Sequence, residues 1–450
     1  MVRVRGLVVF ACVVWAASGS AQAQGLLPLP GVIDQLNLPA PLVNLPAPVI
    51  NELNTVCSGT PVSQACTEAV EQILNDVPAA LIGALEVPPA LAGFLDATCD
   101  TVPLSASCQA ILSSAVQSLP TYNQAIVSAA ASNTVFTNQQ IADFALSSIT
   151  VLPPAQTAAA LRVISPTVST FGVSGVAKMD HDGFSFRSPF GSGRTASFES
   201  FDVGGTLGMR FDASRAANLP RDSLSFGVFG NYTNSEVDFD LDPALRVSGL
   251  RGGGEASLDN GSAGMFGLLS NGKVYGLAIA SGQFGSATVK DPLLEGRSKF
   301  DTSGFAGSLL AGTVIPVART TKFDLRGGLN FLNARAEEHR STNGLRFGEG
   351  EIEAFSGMAS VRVFQTWLHG QSVIRPFAQI GIDQRFDYEN QVRVGGVDFS
   401  FDEGDTTLFG RVGVDMDVAD RVQAFAALRG DHNEDFDIGS AQIGFTLQLN

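Results

Sequence analysis

After its first two dozen residues, the chain has no run of about 18 uncharged apolar residues, so no helix of it can cross a bilayer. Residues 24–180 contain no histidine, which excludes a Ser-His-Asp triad and a His-ligated metal from that region. Its Ser, Asp and Glu residues form no recognisable catalytic constellation. Basic residues are scarce: 28 Lys and Arg stand against 44 Asp and Glu, for a formal charge of −16, which excludes nucleic acid as a partner. The acidic stretches Glu236–Asp242 and Asp398–Asp405 lack EF-hand spacing and read as solvated loops. The four histidines (His181, His339, His369 and His432) are scattered and form no set. No enzyme activity, metal or cofactor is expected.

What is present begins with an export signal. Arg3 and Arg5 precede an apolar run from Gly6 to Ala17, and Ala21-Gln22-Ala23 offers a small-residue cleavage site. Residues 1–23 therefore read as a signal peptide, and its loss takes the formal charge from −16 to −18. Cys12 leaves with it. Four cysteines remain, an even number, which in an exported chain implies disulfides.

Residues 24–50 are apolar and proline-rich. The repeat Asn37-Leu38-Pro39-Ala40-Pro41 and Asn44-Leu45-Pro46-Ala47-Pro48 favours an extended tether. Residues 51–152 carry a longer repeat of the form Cys-x8-Cys, at Cys57 and Cys66 and again at Cys99 and Cys108. Four cysteines allow three connectivities; the internal repeat favours Cys57–Cys66 and Cys99–Cys108. Helical spacing follows each pair, in Ala69, Ile73, Leu74 and Val77 and in Ile111, Leu112, Ala115 and Leu119. This region reads as a small, mainly helical, disulfide-stapled domain.

Residues 153–180 read as a linker helix centred on Ala158–Val173, with Leu161, Arg162 and Ile164 at its heart. Its polar flecks suit a watery lumen better than lipid. From residue 181 to 450 the pattern changes to period two. In Phe201–Asp212, Phe201, Val203, Leu207, Met209 and Phe211 fall on one face, and Asp202, Thr206, Arg210 and Asp212 on the other. Similar alternation marks about twelve strands, near 182–190, 198–212, 222–239, 261–270, 273–285, 299–316, 321–338, 350–366, 371–389, 404–419, 420–432 and 437–449. Asn271-Gly272 is a strong hairpin signal. Short and long connections alternate, which puts short turns in the periplasm and residue 180 on the inner side.

The fold expected is a membrane all-β one: an antiparallel outer-membrane β-barrel of about twelve strands. A lumenal linker helix and the helical N-terminal domain precede it. Arg210, Asp212, Asp324, Arg326, Arg411, Asp415 and Arg429 face the lumen in this reading, as do Arg375, Asp383 and Arg385. They pair with one another or with water. Arg162 is expected to meet carboxylates such as Asp212, Asp324 or Asp415.

Signal peptide, exported segment, helix, then barrel: over about residues 156–450 this order resembles the autotransporters of type V secretion. Ala160-Leu161-Arg162-Val163-Ile164-Ser165-Pro166 is similar to that family's linker, and Phe201–Phe211 to its early glycine-rich strand. The resemblance implies a barrel in the outer membrane of a Gram-negative bacterium. It implies that the barrel anchors and translocates a short helical passenger, here the N-terminal region, to the cell surface. Expected partners are outer-membrane lipid, the barrel-assembly machinery, periplasmic chaperones and an unknown surface ligand. The linker lacks an Asn-Asn pair, so no self-cleavage is expected. The alternative is a porin-like channel with a periplasmic or plugging N-terminal domain.

Overall fold

The structure is a computed structural model. It describes residues 106–150 and 165–447, apart from 189–190, 195–196, 215–216, 218, 220–222, 240–253, 292–295, 343–345, 370–371, 395–396 and 420–421. Twelve long strands form the wall. They are β1 (Ser165–His181), β2 (Phe198–Asp212), β3 (Leu224–Phe239), β4 (Gly254–Ser270), β5 (Val274–Asp291) and β6 (Gly296–Pro316). The circuit continues with β7 (Thr321–Ala336), β8 (Arg346–Gln365), β9 (Ser372–Val394), β10 (Thr406–Ala419), β11 (Val422–His432) and β12 (Phe436–Leu447). Each pairs antiparallel with its sequence neighbour, and β1 pairs with both β2 and β12, so the sheet closes with no free edge. One helix, α1 (Ala106–Thr150), lies inside the wall and packs most extensively against β1 to β9.

The first expected strand is displaced. Ser165–His181 is a strand where the linker helix 153–180 was expected, so the barrel begins at Ser165 rather than 181. Closure explains it. Ser169–Leu447 and Thr170–Gly208 are among the registers that join the last strand to the second. A helix there would leave two edges unpaired in lipid, which a membrane does not tolerate. Residues 182–190 are not a crossing strand; Ser185–Ser188 and Gly191–Arg194 form a small outer hairpin. Residue 180 is therefore at the outer end, where His181 pairs with Phe198 and Phe436. Leu161, Arg162 and Ile164 lie outside the described residues.

The helix of the lumen is α1, about 40 residues earlier than expected. It includes the end of the 51–152 region read as passenger, and Cys108 is its third residue. The side chain of Cys108, and Cys57, Cys66 and Cys99 altogether, lie outside the described residues. So do the signal peptide and the proline-rich segment.

Short turns mark the inner end. At Asn271-Gly272 the side-chain oxygen of Asn271 accepts from the Lys273 and Val274 amides at 3.0 and 2.8 Å, and Gly272 takes φ 82°, the left-handed region. Outward side chains between the two ends are apolar. Phe226, Val274, Ile315 and Trp367 form an inner girdle, and Tyr232, Phe284, Phe305 and Phe386 an outer one, all exposed. Val228, Met265, Leu309, Ile380 and Val412 fill the band between. On β5 and β6 ten residues of tilted strand separate the girdles, from Val274 to Phe284 and from Phe305 to Ile315, roughly 25 Å of height and the depth of a bilayer core. Among the described residues no helix is long and apolar enough to cross lipid.

Beyond the outer girdle the polarity of the wall inverts. On β3, Tyr232 faces out and Thr233 and Ser235 face in; four to seven residues beyond Tyr232, Glu236 and Asp238 face out and Val237 and Phe239 face in. On β8, Glu349 and Glu353 are exposed while Phe347 and Ile352 are buried. The same strand thus obeys the membrane rule below and the soluble-protein rule above, because its outside passes from lipid to water. The buried apolar residues at this end, including Phe184, Phe198, Leu258 and Phe399, pack on Ala125–Ala131 of α1 as a core that seals the outer mouth. By area alone, each fully buried aromatic or leucine contributes about 1.5–3 kcal/mol there.

Candidate functional site

The lumen is the site, and α1 fills it. The helix changes character along its length to match the wall. Ala125, Ile126, Val127 and Ala129–Ala131 sit in the apolar outer core. Then Asn133 donates to Ser235 at 2.9 Å, Ser281 donates to Asn138 at 2.8 Å, and Thr206 donates to Gln140 at 3.0 Å. Further in, Ile141, Ala142, Ala145 and Leu146 meet Phe229, Phe266, Leu268 and Leu277. The helix therefore enters at the outer end and leaves at the inner end, about 38 Å of axis between Thr121 and Leu146. A cavity of about 220 Å³ remains beside it, lined by Met179, Asp202, Asn330, Asp383 and Arg429 among others.

Charge is concentrated at the waist. Asp143 of α1 contacts three arginines of the wall: Arg411, Arg326 at 3.5 Å and Arg362 at 3.9 Å. Arg326 also donates to Asp324 at 2.5 and 3.1 Å, and the Tyr275 hydroxyl donates to Asp324 at 2.7 Å. Arg362 donates to Asp415 at 3.1 Å, and Arg375 pairs with Asp417. The sequence put a helix cation, Arg162, among wall carboxylates. The structure has the opposite polarity, a helix carboxylate among wall arginines.

The remaining expected lumen residues have these places. Arg210 is buried and donates to Ser225 at 3.0 Å. Asp212 accepts from the Ser214 amide at 2.9 Å and so caps the first inner turn. Arg429 is half-buried and donates to Asp431 at 2.8 Å. Asp143 and Arg362 were missed by sequence reasoning. The signal for Asp143 was its isolation, as the one charged residue between Asp100 and Arg162.

A second buried cluster closes the outer end. The Gly183 amide donates to His181 Nδ1 at 3.0 Å, so Nε2 carries the proton and donates to Glu403 at 3.3 Å. Glu403 also pairs with Arg385. Phe198 stacks on the His181 ring at 4.7 Å, and Phe184 packs against it at a tilt, 4.0 Å between centres. Burial by itself would raise the Glu403 carboxyl, but the Arg385 charge and the His181 hydrogen bond hold it at about 2. A depressed carboxylate stabilises the fold above its ordinary value of 4.5, and that stability is lost as pH falls toward 2. The shift corresponds to about 3 kcal/mol. Glu403→Gln is expected to cost about 3–5 kcal/mol by leaving Arg385 buried without its partner. The midpoint of heat-modified gel migration, measured from pH 7 down to pH 3, should fall steeply for the parent and be flatter for the variant. At the outer rim, His339 lies between Phe300 and Phe347, and burial lowers it to about 4.

A closed wall of twelve antiparallel strands, greasy outside between two girdles and polar at its waist, defines a transmembrane β-barrel with a helix in its pore. A model of the autotransporter β-domain matches residues 173–429. The chain belongs to that family, whose barrel is a secretion and transport domain of the Gram-negative outer membrane. Among solved structures it is similar to the translocator domain of autotransporter NalP from Neisseria meningitidis, at 12% identity and TM-score 0.49 over 71% of this chain and 99% of that one. It is also similar to the transport unit of the autotransporter AIDA-I from Escherichia coli, at 12% identity and TM-score 0.47 over 68% and 98%. No curated protein matches.

Proposed function

We propose that the barrel anchors this chain in the outer membrane and delivers the region before α1, residues 24–105, to the cell surface, with α1 left behind as the plug. The observation that carries this reading is the direction of α1. Its Thr121 end lies toward the outer mouth, its Leu146 end toward the inner turns, and β1 starts at the inner end. A chain arranged so has its N-terminal side outside.

The filled waist and sealed mouth weigh against the porin-like alternative. On this reading residues 1–23 direct export. The loops Cys57–Cys66 and Cys99–Cys108 are small enough to pass the pore, and peptide mapping without reductant should recover those two pairs. The barrel-assembly machinery, periplasmic chaperones and lipid are the partners, and whatever the surface region binds is a further one. Protease added to intact cells should remove an epitope placed in residues 24–105 and spare the barrel. An epitope that survives until the outer membrane is permeabilised would return the N-terminal region to the periplasm.

A further inference from the structure

Helix α1 carries one charged side chain in 45 residues, and that residue, Asp143, lands on three arginines. Two of them already have carboxylates on the wall, Asp324 for Arg326 and Asp415 for Arg362. Arg411 donates to Gln442 at 3.0 Å, and Asp143 is its one carboxylate at ion-pair distance among the described residues. Two of the guanidinium groups are held in place from below. Those of Arg362 and Arg411 lie over the Phe377 ring, at 3.7 and 5.3 Å from its centre. The Nε donors of both are buried and reach no acceptor in the protein. Fixed guanidinium planes with donors to spare suit a planar oxyanion.

A separate observation concerns the chain upstream. From Gln24 to Leu161 there is no Lys or Arg, and all nine charged residues are Asp or Glu, Asp143 being the last. Every charge from Gln24 to Leu161 therefore has the sign these arginines attract.

We propose that Arg362 and Arg411, held over Phe377, and Arg326, held by Asp324, form a carboxylate-binding cradle in the lumen, which Asp143 occupies as a tethered ligand and which a small free carboxylate occupies when Asp143 is removed. The cradle sets the register of α1. This extends the export reading: carboxylates of a passing chain are attracted in turn, and Asp143, with no later carboxylate before β1, is the one that stays.

The test uses the purified full-length protein in detergent, with sodium formate as probe and sodium chloride at equal ionic strength as control. Asp143→Ala should lower the midpoint of heat-modified migration by roughly 5–10 °C. Formate should restore at least half of that loss, leave the parent unchanged, and fail to rescue Asp143→Ala combined with Arg411→Gln. Asp143→Glu, which keeps the carboxylate, should stay insensitive to formate. Equal midpoints in formate and chloride, or an equal gain in the parent, would overturn the proposal. If Asp143→Ala does not refold in chloride, the refolded yield in formate is the readout; recovery supports the cradle, and no recovery in either salt overturns it. The assay involves no export, so its failure is separate from failure of the surface-delivery reading, which protease treatment of intact cells decides.

Discussion

Removing residues 24–150 should open the pore. In planar bilayers the full-length protein is expected to conduct weakly, because α1 occupies the waist and the outer mouth is packed with Phe184, Phe198, Leu258 and Phe399 around Ala125–Ala131. The deletion leaves all twelve strands, so the barrel should still insert and migrate as a heat-modifiable species. Its single-channel conductance should rise several-fold. The boundary matters. A deletion reaching residue 179 removes most of β1, the strand that joins β12 to β2, and should yield an unclosed, unfolded chain rather than a wider pore. Equal conductance with and without residues 24–150 would mean that α1 does not occlude the lumen.

A second large effect is expected at a position that looks harmless. Ile380 is 72% exposed, and in a soluble protein Ile380→Arg would change stability by at most about 0.5 kcal/mol. Here its surroundings are hydrocarbon, and the same change near the bilayer midplane should cost roughly 2–4 kcal/mol. A charge on the same outward face but above the outer girdle, such as Glu353→Arg on β8, should cost far less. Denaturant titration of the barrel in lipid vesicles measures both. Equal, small costs at the two positions would contradict the placement of the lipid band.

These two expectations also show what the sequence could convey. Strands such as Phe198–Asp212 and Thr321–Ala336 were legible because they sit against lipid for most of their length, and one face is uniformly apolar. Asn271-Gly272 was legible because its turn needs a left-handed glycine. The outer halves of β3 and β8 kept their period but reversed its meaning, since alternation alone does not say whether the solvent outside is lipid or water. β1 was hidden. Pro166, Gly172 and Gly175 weaken its local preference for a strand, and what fixes it is pairing with β2, 17 to 47 positions away, and with β12, more than 250 positions away.

The lumenal helix was legible as a helix but not as lumenal. Pro120 has no amide proton to give a helix, yet α1 continues through it to Thr150, and the partners that hold it there lie on β2, β3 and β5. At the waist, the wall residues Arg326 and Arg411 could be read from strand parity. Their partner could not, because nothing local tells an isolated aspartate on a polar helix from one destined for three arginines.

The central claim is that one and the same chain threads the lumen as α1 and has its N-terminal side outside the cell. Asn138 and Ser281 are hydrogen-bonded across helix and wall at 2.8 Å, so Asn138→Cys with Ser281→Cys should lock α1 in place by a disulfide. A specific protease site between residues 151 and 164 then reports the lock, since the helix stays with the barrel after cleavage only if the bond has formed. On intact cells, external protease should strip an epitope near residue 30 from these crosslinked molecules. Crosslinked molecules that keep the epitope until the outer membrane is permeabilised, or a pair that never crosslinks in folded barrels, would contradict the account.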